Sequence, residues 1–420
     1  MEHLYAAYLL SGIIKSFLNY YNLSLGVDFT FLTGLLVIIC VVMNVFNKRG
    51  NHKISQKSIM GIYALGLFYL WMNITTLYSL SSYYSYKKSF LFLTNVLAFV
   101  CPLLYRQFDI IKFLKSFMII SLFLEVLFLA LYAPVLYSSS GSEQLLSGLY
   151  LAISEVCGLC LLILFIYDKL FSRILDWFFI VLNSVAIILM GGRGPIIFVA
   201  TVLIVFVISQ FLIRRLSGRR DSIFRFSGIN KIMLLGIFMG FTLFLLINFS
   251  VGAKDLFERS KGRLSLLFPN SQGLTDVSAI DRVDQFMFSI DLIVESSSSF
   301  FFGHGLGSYS LLYGFGEGRA YPHNILLEIW VETGFIGLLI FSCFLIAAYR
   351  QRFVYNPFTW CIIYLFLNTL KSNSIVDLRV FFGFVAIFIL SSETMRLPRS
   401  TGVKITQSQN RPNQLLEANK

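Results

Sequence analysis

Apolar segments of roughly 17 to 24 residues recur along almost the whole chain, each long enough to carry a helix across about 30 Å of hydrocarbon. That recurrence limits the fold more than any other feature. With 57% of its 420 residues hydrophobic and 13% charged, the chain has too little polar surface to face water, so lipid is its main solvent. A transmembrane β-barrel would show short alternating segments instead. The expected class is all-α, a polytopic transmembrane helix bundle of about 12 spans with a large extracytoplasmic loop containing helices.

Hydropathy places the spans near residues 4–23, 27–46, 58–80, 89–105, 113–133, 147–167, 174–190, 195–213, 232–250, 330–349, 357–371 and 376–392. The first stretch, from Tyr5 to Leu23, has no basic lead-in and no small-residue cleavage site, and reads as a membrane helix rather than a signal peptide. Residues 1–392 therefore form a single transmembrane domain that includes the loop 251–322. The polar tail 393–420, ending in a Gln/Asn-rich stretch, is expected to be disordered in the cytoplasm.

The net charge of +12 points away from nucleic acid once its location is considered. Basic residues concentrate in alternate connections: Lys48, Arg49, Lys53 and Lys57; Arg106, Lys112 and Lys115; Lys169 and Arg173; Arg214, Arg215, Arg219, Arg220 and Arg225. The loop from Ala133 to Ser147 has none, so the positive-inside rule puts the basic set and both termini in the cytoplasm. Lys87, Lys88 and Lys371 are exceptions on the expected outer side. All six cysteines fall inside apolar segments, where packing is their expected role. Cys157 and Cys160 have metal-like spacing but lack a second Cys/His pair nearby.

The same count brings two outer features together: the turn Gly191-Gly192-Arg193-Gly194-Pro195 and the segment Val251 to Pro322. A segment of that length is expected to hold helices and function. Val283, Phe286, Met287, Ile290, Ile293 and Val294 follow helical spacing, which fits an amphipathic helix on the membrane or on the bundle. Ser278, three residues before Asp281, is a candidate cap that would put Arg282 in the first turn or just after it.

Pro322 then turns the chain into a helix on which Asn324, Glu328 and Glu332 share one face, with Gly334 and Gly337 permitting a break or a close contact. That stripe is either a capped helix solvated at the interface or the wall of a site. His323 has the pKa of a general base, although a histidine at a helix start also serves as a cap or surface residue. Arg193, between glycines at the end of a span, either snorkels to headgroups or binds an anion, with Gly192 and Gly194 letting backbone N–H groups approach a phosphate. Arg282 offers a second guanidinium fork. Glu125 and Glu155, inside spans, are a proton path or helix-to-helix hydrogen bonds. Gly303-His304-Gly305-Leu306-Gly307 is a tight turn rather than a nucleotide fingerprint, since no strand precedes it.

In order and sidedness these motifs resemble the O-antigen polymerase and O-antigen ligase superfamily. The matching residues are Gly191-Gly192-Arg193-Gly194, Asp281-Arg282-Val283, Gly303 to Ser308, and His323-Asn324 with Leu327, Glu332, Gly334 and Gly337, all within residues 177–347. Many members carry serines around the first arginine, where this chain has glycines. The resemblance implies a bacterial inner-membrane glycosyltransferase that needs no cofactor and no metal, and polymerises polysaccharide repeat units. The donor is an undecaprenyl-diphosphate-linked oligosaccharide and the acceptor a sugar hydroxyl. Arg193 and Arg282 would stabilise the leaving diphosphate, and His323 would take the acceptor proton. Asn324 and Glu328 would orient His323 or the sugar. Its implied partners are that lipid-linked oligosaccharide, the lipid bilayer and a chain-length regulator protein, with no nucleic acid. The alternatives are a ligase with a lipid A core acceptor and, from a different class, a transporter or flippase for the same lipid-linked sugar.

Overall fold

The computed structural model describes residues 1–21, 23, 26–47, 55–137, 149–167, 170–190, 192–217, 277–349 and 356–394. The span expected at 232–250, most of the loop at 133–147, the basic loop from Arg219 to Arg225, the first part of the loop 251–322 and the tail from 395 onward lie outside these residues. Among the described residues there are helices and no strand. They are α1 Glu2–Leu9, α2 Ser11–Tyr20, α3 Phe29–Asn47, α4 Gln56–Thr76, α5 Ser82–Leu104, α6 Ile110–Tyr137, α7 Leu149–Ile166 and α8 Arg173–Met190. After these come α9 Arg193–Ser217, α10 Val277–Val294, α11 Ser297–Phe302, α12 Tyr309–Leu312, α13 Ile325–Tyr349, α14 Phe358–Thr369, the 3-10 turn Ile375–Asp377 and α15 Arg379–Thr394.

Seven of these helices are long and apolar enough to cross a membrane, α3 to α8 and α13, and three shorter apolar segments lie in α9, α14 and α15. The chain is a multi-pass helical membrane protein. The first expected span, 4–23, is not one helix: the backbone leaves the helical path at Leu10, and Ser11 Oγ donates to the Tyr8 carbonyl at 2.7 Å. Its physical reason is far away in sequence. Arg379 reaches Ser11 Oγ at 2.5 Å and lies so close over Gly12 that a Cβ there would collide with its guanidinium.

In lipid, apolar surface gains little from leaving its solvent, so helices associate through close packing and polar contacts. Packing here runs through aromatic rings that join α4, α5, α13 and α15: Phe68 meets Phe92 at 5.7 Å and Phe341 at 5.2 Å, while Phe382 meets Phe92 at 5.7 Å and Phe344 at 5.5 Å. The two pairs that Phe92 makes are edge-to-face, and aromatic pairs of this kind add to the area they bury.

Helix α13 breaks at Gly334 (φ 72°), where a side chain would strike the Phe301 carbonyl. The break releases three carbonyls, and each finds a donor from elsewhere. Val331 accepts from His304 N at 2.8 Å, Glu332 from Gly305 N at 3.0 Å, and Thr333 from Trp71 Nε1 at 2.9 Å. The glycine-rich turn 303–307 is thus a clamp on α13. Ser79 Oγ and Tyr78 OH hold the same turn to the end of α4 through the carbonyls of Leu306 and Phe302, each at 2.6 Å.

Helix α10 is described from Val277 onward, so Ser278 is inside it rather than capping it, and Arg282 lies at least one turn in, beyond most of the positive end of the helix dipole. Its apolar residues divide between two directions. Leu292 and Ile293 pack with Phe288 and Ile290 on Leu327, Val331 and Tyr309, whereas Val283, Phe286, Met287 and Val294 are exposed. The predicted stripe therefore does not face the bundle as a unit.

Candidate active site

The site forms where the preceding loop enters α13. Asn324 is the cap: its side-chain oxygen accepts from the N–H groups of Leu326 at 3.0 Å and Leu327 at 3.3 Å. His323, just before it, has φ of 52°, the only positive φ outside glycine among the described residues. A histidine pays a steric cost in that conformation, and such residues gather at functional sites. Its ring is half-buried, 4.7 Å from the Tyr321 ring.

The Ser372 backbone carbonyl lies by the His323 imidazole and accepts from Tyr321 OH at 3.1 Å. His323 Nδ1 is buried and has no hydrogen-bond partner among the described residues. Burial pushes the imidazole below its ordinary pKa, and the nearby Arg282 charge pushes the same way, against smaller opposing effects of the Ser372 carbonyl and Glu328. Burial and the Arg282 charge both favour the neutral ring, the form a base requires.

Arg282 is the cation that acts on His323, and Arg193 and Lys371 join Arg282 in one group of three. Arg193 opens α9, Arg282 projects from α10, and Lys371 sits on the turn after α14. Burial and then the charges of Arg282 and Arg193 push the Lys371 ammonium down to about 8. Gly194 leaves room for this lysine, because a Cβ at that position would lie 2.8 Å from Lys371 Nζ. Gly192 similarly accommodates Ser154, whose Oγ would be 2.7 Å from a Cβ there. These contacts give both glycines a steric role, beside the backbone approach to phosphate expected from the sequence.

Behind α13, the polar stripe is neither solvated nor open. Lys88 of α5 is buried and donates to Glu328 at 2.6 Å and to both carboxylate oxygens of Glu332 at 2.7 Å. Glu328 also accepts from Ser374 Oγ at 2.7 Å and Ile375 N at 2.8 Å. Both its oxygens are engaged within the protein. The network ties α5, α13 and the 3-10 turn together two residues beyond the carbonyl that lies by His323. Arg319 pairs with Asp377, and Glu317 accepts from Ser82 N at 3.0 Å, closing the loop over the same end of the bundle.

His323, Arg282 and Arg193 thus occupy one region, with Arg282 acting on His323 and both arginines on Lys371. Asn324 and Glu328 lie in the frame beneath. Lys88 and Lys371 were missed as site residues, and their signal was that both break the positive-inside pattern. Glu155 accepts from Asn373 Nδ2 at 3.1 Å, next to the Lys371 turn, whereas Glu125 meets Cys157 between α6 and α7. Among the described residues, no group of three or more His, Cys, Asp or Glu side chains is placed to hold a metal.

Residues 178–342 match a family model described as O-antigen ligase. No curated protein matches the chain.

Proposed function

We propose, from the match of residues 178–342 to the O-antigen ligase family model, that this membrane protein is an enzyme that polymerises polysaccharide repeat units delivered on undecaprenyl diphosphate. The acceptor hydroxyl loses its proton to His323 as its oxygen attacks the anomeric carbon. The bond from that carbon to the diphosphate oxygen breaks, and its electrons leave with the lipid diphosphate. Arg193 and Arg282 bind that leaving group and stabilise the charge it gains. Asn324 and Glu328 act by positioning, since one caps the helix behind His323 and the other anchors it. The observation that carries this reading is an imidazole with an unpartnered nitrogen, held below its ordinary pKa by burial and by Arg282, one member of a group of three cations. A ligase would use the same groups with a lipid A core acceptor, and the family description is the observation on its side.

The test is purified protein supplied with lipid-linked repeat units, with and without lipid A core. A ladder of chain lengths without the core supports polymerase; transfer only to the core supports ligase. Arg193→Lys and Arg282→Lys should each lower turnover by roughly a hundredfold, because an ammonium cannot reproduce the paired hydrogen bonds of a guanidinium on phosphate. Normal ladders from both variants, at equal protein level, would reduce the arginines to headgroup anchors.

We place the site on the outer face of the inner membrane, with the termini on the opposite side. The N-terminus and the α5–α6 turn share one end of the bundle, where Asp109 N donates to Glu2 at 2.9 Å, and the site loop covers the start of α5 at the other end. In intact spheroplasts, an impermeant thiol reagent should modify Phe315→Cys and spare Gln107→Cys. The reverse pattern would put His323 in the cytoplasm.

A further inference from the structure

We propose that Lys371 is a third phosphate ligand of this site, completing with Arg193 and Arg282 a clamp matched to the charge that the diphosphate acquires as the sugar leaves. The inference rests on the reading of the site given above. A lipid diphosphate esterified at both ends carries about two negative charges, one per phosphate, and departure of the sugar exposes a third on the freed oxygen. Two guanidinium groups balance the bound donor. A third cation balances the departing product, and an interaction that strengthens in the transition state raises turnover rather than ground-state binding.

The placement supports this assignment. Lys371 N and Ser372 N both donate to the Asn368 carbonyl, at 3.1 and 3.0 Å, so the turn is fixed at the end of α14. The Ser372 carbonyl on that turn is the one that lies by His323. One rigid turn therefore carries the ammonium and borders the imidazole. The lysine passes over Gly194, directly beside Arg193, with Nζ 5.9 Å from the centre of the Phe198 ring. Among the described residues, no carboxylate pairs with Lys371 or Arg282. Asp377 is taken by Arg319, and Glu155 is held by Asn373. Three neighbouring cations repel one another, and a multiply charged anion relieves that repulsion.

The same repulsion supplies an independent readout. With the ammonium lowered to about 8, Lys371 loses its charge as pH rises through that value when no donor is bound. The charged groups acting on it are those of Arg282 and Arg193. The lysine-dependent part of kcat/KM should fall above pH 8, and Lys371→Arg should abolish that fall.

The experiment compares purified wild type, Lys371→Gln, Lys371→Arg and Arg282→Lys in detergent with undecaprenyl-diphosphate repeat units. Inhibition by undecaprenyl diphosphate and by undecaprenyl monophosphate is measured on each. Lys371→Gln should lose about tenfold in kcat with KM nearly unchanged, and about tenfold in inhibition by the diphosphate, with little effect on the monophosphate. Lys371→Arg should recover most of both. Wild-type kcat and diphosphate inhibition in Lys371→Gln, with Arg282→Lys impaired, would overturn the role of Lys371 and leave the reading of the site intact. Failure of the diphosphate to inhibit wild type at all would instead overturn the reading of the site. If Lys371→Gln does not give a monodisperse protein, the pH profiles decide. A wild-type fall above pH 8 that is missing from Lys371→Arg supports the clamp, and identical profiles overturn it.

Discussion

His323→Ala should lose turnover by roughly 10² to 10⁴ while the lipid-linked donor still binds, the range expected when a general base is removed from an otherwise intact site. His323→Gln should be nearly as poor, since an amide keeps a hydrogen bond but does not take the proton. The pH profile carries a second expectation. Burial first, and then Arg282, hold the imidazole below its ordinary value, so the acid limb of kcat/KM should fall below pH 6.5 rather than at it. Removing the Arg282 charge should move that limb upward, because one of the two influences that keep the ring neutral is gone. Donor turnover and chain-length ladders measured across pH 5 to 8 check both points. A normal rate in His323→Ala would return the residue to the role of helix entry. Activity in Gln but not Ala would make it a positioning group.

What was legible in the sequence followed residue class and local period. Span length, the charge asymmetry of loops, the face shared by Asn324, Glu328 and Glu332, and the break near Gly334 all depend on neighbours within a few turns. The two arginines and His323 stood out through their order along the chain, which is where the family resemblance lies. Contacts that join distant segments were not legible. Lys88 meets Glu328 and Glu332 across 240 and 244 positions, so hydropathy saw only a misplaced charge. The break at Leu10 goes with a guanidinium 368 positions beyond Ser11. Helical period gave the apolar residues of α10, but not the division that buries Ile293 and exposes Val283. Nor could spacing decide whether the polar stripe on α13 is wet, because a carboxylate looks the same in sequence whether it faces water or a buried ammonium.

The buried ion network makes the other large prediction. Lys88, Glu328 and Glu332 are each at most 2% exposed in their side chains, and taking such charges out of water is costly unless they are paired. Lys88→Met should remove the cation and strand two carboxylates. Breaking a buried pair in this way costs about 3 to 5 kcal/mol, which should appear as a lower unfolding temperature in detergent. Function should suffer as well, because Glu328 is also the acceptor for Ser374 and Ile375, and that turn follows the Ser372 carbonyl that lies by His323. The decisive variant combines Lys88→Met with Glu328→Gln and Glu332→Gln. It removes the uncompensated charge and should regain much of the lost stability, although the three changes touch one another and will not add. Activity should recover less than stability, since an amide donates as well as accepts and does not reproduce the two bonds that Glu328 makes to the turn. If Lys88→Met alone kept both its unfolding temperature and its turnover, the network would not be the frame that holds His323 in place.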